Sequence, residues 1–164
     1  MIEAINISKR FHNHDILKSL NVNIDENSLT IITGESGKGK TTLLNILSLI
    51  EKPDSGTIEV DKIINPTPRD IMKLRRYTIS YLFQNYGLMD EYTVEKNLHT
   101  SLTYRKNTKL SISEALAKVG LDGYDKRLVY ELSGGEQQRV ALARILLKDA
   151  RYLSLIHISE PTRH

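Results

Sequence analysis

The residues with the clearest chemical capacity are Gly34-Glu35-Ser36-Gly37-Lys38-Gly39-Lys40-Thr41, which satisfy G-x-x-x-x-G-K-[ST] in full. Glycines in that order let successive main-chain N–H groups curl inward around a phosphate, where side chains would block the approach. A helix beginning near Lys40 would aim the positive end of its dipole at the same group. Lys40 has the length to reach phosphate oxygens, and the Thr41 hydroxyl can ligate a magnesium ion. Thr42 continues the same turn. The plainer reading is a glycine turn capping a helix, and context disfavours it. Residues 29–33, Leu-Thr-Ile-Ile-Thr, read as a short buried strand, and helical character follows from Lys40. Lys38 is not needed for the cradle, and we expect its side chain to point to solvent.

A second run, Leu132-Ser133-Gly134-Gly135-Glu136-Gln137-Gln138-Arg139, opens a helix. Ser133-x-x-Glu136 is a capping box. Gly134 and Gly135 leave the first N–H groups uncovered, so the same helix start could be a second anion site. By itself the run reads more simply as a cap.

The elements that must position these residues follow from periodicity. Residues 2–7 and 20–24 alternate apolar and polar around a polar turn at 11–15, which predicts an antiparallel pair with one exposed face. Residues 57–60 form another alternating strand. A helix from Lys40 to Leu49 presents Leu43, Leu44, Ile46, Leu47 and Ile50 as an apolar face. Residues 68–77 predict a basic surface helix, and 78–83 a second buried strand ending at Gln84. From Val94 to Gly120 the pattern is helical with a break near Asn107, and Ser113 is the expected cap of the second piece. The last clear helix spans Gly134 to Lys148.

Length and composition bound the possibilities. The chain has 164 residues, 40% hydrophobic and 26% charged, the balance of a globular domain rather than a disordered or fibrous one. Without cysteine there are no disulfides, thiol catalysis or cysteine–zinc sites. A net charge of +3, from 23 basic and 20 acidic residues, does not predict nucleic-acid binding. The longest near-apolar run, residues 43–50, is far short of the roughly 20 residues of a membrane span. Met1-Ile2-Glu3-Ala4 has neither the basic start nor the apolar core of a signal peptide. Any membrane part of its function would come from another polypeptide. His12 and His14, in a polar turn without a carboxylate cluster, read as solvated.

A phosphate loop followed about ninety residues later by Leu-Ser-Gly-Gly-Glu resembles the ATP-binding subunit of ABC transporters, over most of residues 1–152. The resemblance implies an α/β P-loop NTPase core: a mainly parallel sheet, an antiparallel β edge, and a helical subdomain at about 88–130. It implies ATP and Mg2+ as cofactors, and two such domains packed head to tail with ATP between the phosphate loop of one and the Ser133–Glu136 signature of the other. Ser133 and Gly135 would then meet the γ-phosphate bound on a homodimeric or paralogous partner subunit. Gln84 resembles the glutamine that contacts magnesium and faces the membrane subunit. Phe11 resembles the aromatic that stacks on adenine, its alternative being an ordinary core phenylalanine. The implied partner is a membrane-spanning permease, and the implied location is the cytoplasmic face of the cell membrane. Within the family, Phe83-Gln84 and Glu136 to Arg139 look most like lipoprotein-release, macrolide-export and bacteriocin-export subunits.

The chain departs from the family pattern near its end. Hydrolysis requires one carboxylate to hold magnesium through water and another to polarise the attacking water. The family register places that Asp-Glu pair at positions 156 and 157, which hold Ile156 and His157. Ser159-Glu160-Pro161-Thr162 mimics the expected Asp-Glu-Pro-Thr three residues late. Glu160 as a displaced base is one reading. The other is that residues 153–164 are a foreign tail, because 153–163 resemble the translation of a transposon-end sequencing adapter and 1–152 a partial ATP-binding domain.

Two rivals are a soluble ABC ATPase without a membrane partner and a catalytically inert nucleotide-binding fragment. With the carboxylates missing, purified chain should show no magnesium-dependent ATPase activity. Turnover that Lys40→Ala abolishes would overturn that expectation.

Overall fold

A computed structural model describes residues 1–83, 85–104 and 109–155. It resolves into two compact units, residues 1–75 and 76–164. The first carries β1 (Ile2–Phe11), β2 (His14–Ile24), α1 (Lys40–Leu47), β3 (Ser55–Val60), β4 (Ile63–Ile64) and most of α2 (Pro68–Tyr77). Its four strands form one antiparallel sheet in the order β2-β1-β3-β4. The alternating strands bury Ile2, Ala4, Ile7, Ile58 and Val60, and α1 buries Leu43, Ile46 and Leu47. Side chains two apart on a strand share a face, so each strand needs only half its residues to be apolar.

The long β1–β2 ladder shifts register between Ala4 and Ile7. Asn6 and Ser19 take left-handed φ values of 53° and 48° there. The irregularity is held by side chains: Asn21 Oδ1 accepts from Asn6 N at 2.7 Å, and Ser8 Oγ accepts from Ser19 N at 3.0 Å. Gly56 of β3, at φ 97°, crosses directly over this bulge. A Cβ at position 56 would lie 2.5 Å from Asn6 O and 2.6 Å from Ile5 O.

One expected strand does not form. Residues 28–34 lie outside any strand, and Leu29 and Ile31 are 84% and 73% exposed. An all-apolar strand needs a paired neighbour and a cover on both faces. The first unit gives this segment no sheet neighbour, and β propensity alone does not order it.

The second unit carries β5 (Ile79–Leu82), α3 (Val94–Leu102), α4 (Ile112–Lys118), a 3-10 turn at Val129–Glu131, α5 (Gly134–Lys148) and β6 (Tyr152–Leu155). β5 and β6 pair in parallel, Ile79 opposite Tyr152 through Leu82 opposite Leu155. β6 therefore runs across the boundary between 152 and 153, where a foreign tail is expected to begin. In it Ser154 is buried, while Leu153 and Leu155 face outward. The three helices close on a core of Val94, Leu98, Leu116, Leu121, Val140 and Leu147. α4 starts two residues earlier than expected. Its cap is Ser111, not Ser113, because Ser111 and Glu114 complete a reciprocal capping box that Ser113 has no partner to make.

Gly56→Ala should lower the stability of the first unit by about 1–3 kcal/mol through left-handed strain and collision with the bulge. Urea unfolding of wild type and variant with equal midpoints would contradict this close approach.

Candidate phosphate site

α1 begins differently from the later helices. Its N-cap is Gly39 at φ 83°, with no side-chain cap and no acidic residue in the first turn. α3, α4 and α5 are capped by Thr93, Ser111 and Ser133, each with a glutamate in its first turn. The first N–H groups of α1 are thus left without a side-chain acceptor, and no carboxylate offsets the positive end of its dipole. The loop before it turns through Gly37 at φ 77°, which only glycine adopts without strain. Gly39 packs tightly on β2: a Cβ there would meet Ile16 Cγ2 at 2.6 Å and Ile16 O at 3.2 Å.

Lys40 Nζ folds back over the loop and donates to Gly34 O at 2.8 Å and Glu35 O at 2.6 Å. Its positive charge therefore sits at the mouth formed by residues 34–39. Lys38 faces outward as expected, 3.7 Å from Glu35 Oε2, with both side chains at least 70% exposed. Ser36 and Thr41 are exposed, and Thr42 is half-buried in the first turn of α1. The Thr41 hydroxyl is a hard oxygen of the type magnesium accepts.

Phe11 ends β1 opposite His14 and is 43% exposed, so it is not a core phenylalanine. Lys9 Nζ lies 5.4 Å from its ring centroid. Lys9 is itself tied to the turn after α1, bonding Asp54 Oδ1 at 3.1 Å and Lys52 O at 2.9 Å. The main-chain N–H of Arg10, followed by Lys9, holds the Asp54 carboxyl below its ordinary pKa.

The second motif lies in the other unit. Ser133, Gly134 and Gly135 are exposed at the head of α5. The capping box is complete: Ser133 Oγ donates to Glu136 Oε2 at 2.7 Å, and Ser133 N donates to the same oxygen at 2.8 Å. The remaining carboxylate oxygen accepts from Tyr124 Oη at 2.9 Å. Bonds from the Ser133 hydroxyl and N–H, then from Tyr124, pull the Glu136 pKa down to about 2. Gln84 lies outside the described residues, as do the positions expected to carry the hydrolytic carboxylates.

Two polar residues that order this unit escape motif reading. Asn97 is 1% exposed in the core face of α3. Its amide accepts from Met89 N at 2.8 Å and donates to Met89 O and Thr93 O at 3.0 Å each, fastening the segment before the helix. The polar side chain at an apolar position between Val94 and Leu98 was its only sequence signal. Arg144 donates to Gly87 O at 2.6 Å and to Tyr86 O. Nothing local marks it, since its partners lie 57 and 58 residues away.

An uncapped helix start behind a glycine loop with the P-loop lysine, on a chain of mixed strands and helices, defines the class: an α/β domain of the P-loop NTPase type. Residues 17–162 match the family pattern described as ABC transporter. A putative ABC transporter ATP-binding protein of Mycoplasma pneumoniae is 36% identical over 170 residues, covering 99% of this chain and 36% of that protein. The ABC transporter ATP-binding protein YxdL of Bacillus subtilis is 36% identical over 172 residues, covering 99% of this chain and 65% of its own length. The solved dimeric structure of MJ0796, a bacterial ABC transporter cassette, superposes with a TM-score of 0.81 at 30% identity. The match covers 93% of this chain and 72% of that one. A second structure of that cassette is bound to ADP and Pi. The chain belongs to the ABC transporter ATP-binding family. It spans between about a third and two thirds of the length of the curated relatives it matches.

Glu136 sets a pH signature for the head of α5. Its carboxylate pKa is lower in the folded chain than its ordinary 4.5, so the charged form contributes stability above that value. That contribution is lost as pH falls toward about 2. Glu136→Gln removes the titration, so the wild-type melting temperature should fall more steeply than the variant's across this acid range. Parallel curves would exclude the bonded carboxylate.

Proposed function

We propose that the chain is the ATP-binding part of an ABC transporter, in which nucleotide binding and hydrolysis drive movement of a substrate by a separate membrane-spanning subunit. The observation that carries this reading is the start of α1. It combines an absent side-chain cap, no first-turn acid, a glycine loop and Lys40 at its mouth. That is the donor arrangement a polyphosphate requires. Lys40 would exchange its bonds to Gly34 and Glu35 carbonyls for phosphate oxygens. Gly34, Glu35, Ser36, Gly37, Lys38 and Gly39 would wrap the chain around them, with Thr41 and Thr42 at the helix start. Thr41 and Gln84 would hold Mg2+, which neutralises phosphate charge. Phe11, exposed at the end of β1, would stack on the base.

The exposed Ser133–Gly135 head of α5 would meet the nucleotide of a second copy or a paralogous subunit. In support, a related cassette has been solved as a dimer, and another relative is described as part of the ABC transporter complex cbiONQ. The docked membrane subunit would hold the chain at the cytoplasmic face of the membrane. Among the described residues no helix is long and apolar enough to cross a membrane. Phe83 and the Glu136 to Arg139 run favour an export or lipoprotein-release system, whereas relatives such as TcyN of Bacillus subtilis are described as import proteins. The identity of the neighbouring permease gene decides between them. That residues 153–164 form a foreign tail is also a proposal, and the genomic sequence past Tyr152 decides it.

ATP binding is measurable apart from turnover. Titration of purified chain with a fluorescent ATP analogue should give saturable, magnesium-dependent binding. Lys40→Ala, losing charge-assisted bonds of about 1.5–3 kcal/mol, should weaken it roughly tenfold or more. Equal affinity in the variant would remove the basis for the reading.

A further inference from the structure

Gln137, Arg144 and Lys148 are spaced seven and four residues apart on α5, which places them within about 40° of one another around the helix. Each donates to main-chain carbonyls of a different segment. Gln137 Nε2 bonds Val129 O and Leu132 O at 3.2 Å each, at the 3-10 turn. Lys148 Nζ bonds Ile79 O of β5 at 2.6 Å. Arg144 takes the turn between them, bonding Gly87 O at 2.6 Å and Tyr86 O.

That turn is conformationally costly. Tyr86 and Gly87 both have left-handed φ values, 58° and 57°. A tyrosine there is disfavoured by its own Cβ and needs outside support. Local bonds supply some of it, from Tyr86 N to Phe83 O and from Gly87 N to Asn85 O. The guanidinium supplies the rest by spanning two successive carbonyls, which its fork does and a point-charge ammonium does not. Burial pushes the Arg144 pKa down. Among the described residues no carboxylate pairs with it. A half-buried cation bonded only to neutral carbonyls has no competing ion pair to draw it off them.

We propose that Arg144 is a positioning residue that fixes the conformation of the Tyr86–Gly87 turn to helix α5, making the turn and the helix one mechanical piece. Its functional weight rests on the ABC reading above. The turn directly follows Gln84, and Arg144 lies about 16 Å along the axis from the Ser133 end of the same helix. The clamp would carry a displacement of the signature end to the segment that follows Gln84.

The test is residue-resolved amide hydrogen exchange on the full chain without nucleotide, comparing wild type, Arg144→Lys and Arg144→Leu. Lysine keeps the charge but not the fork, and leucine keeps the bulk without a buried charge. Both variants should speed exchange at Tyr86 and Gly87 about tenfold or more, with Leu98 and Val140 changed less than about twofold. Unchanged turn exchange in either variant would overturn the proposal. So would acceleration spread evenly through α3 and α5, the mark of a residue that only supports the core. No nucleotide enters the measurement, so its failure is separate from a failure of the Lys40 titration.

Discussion

A main-chain carbonyl drawn away from water without a donor is costly, and within residues 76–155 helix α5 meets that demand for three separate segments. α5 faces the core with Val140, Ala143 and Leu147, and offers Gln137, Arg144 and Lys148 along an adjoining stripe. The 3-10 turn, the Tyr86–Gly87 turn and β5 are each too short or too irregular to satisfy themselves. Removing α5 would take away their hydrophobic cover and their hydrogen-bond partners together. The helix that begins with the family signature is therefore also the one on which its unit is hung.

The two candidate anion sites solve opposite problems with the same element. The start of α1 leaves its N–H groups open and keeps acids away, as suits a ligand that supplies its own negative charge. The start of α5 closes two N–H groups internally, those of Ser133 and Glu136, with the Glu136 carboxylate bonded on both oxygens. The exposed glycines at the second site lie in front of a carboxylate locked in place. Held by Tyr124 and Ser133, that charge points back toward the chain and not outward over Gly134 and Gly135.

Much of this was legible in the residues. The start of α1 after a glycine loop, α2, and α5 with its Ser133 cap stood where periodicity and capping rules put them, because each is specified by neighbours three or four positions away. Apart from the cap of α4, what failed was specified at longer range. Residues 29–33 read as a strand on propensity, but a strand is a property of a ladder and the first unit does not provide one. Ser113 lost the cap of α4 to Ser111 because the deciding partner was Glu114. Asn97 and Arg144 were invisible in their roles, since each serves carbonyls in a loop that no periodicity describes. The register slip at Asn6 was hidden for the same reason, although Gly56 was the trace it left in the sequence.

The unpaired run at 29–33 has a consequence for how molecules of this chain behave toward one another. Leucine and β-branched residues held in water beside open backbone are a nucleus for pairing between chains. A net charge of +3 offers weak colloidal repulsion against it. These five residues, mostly exposed and outside any strand, are thus a segment through which copies of the chain could pair. A protein that supplied a neighbouring strand would act on them as a chaperone does.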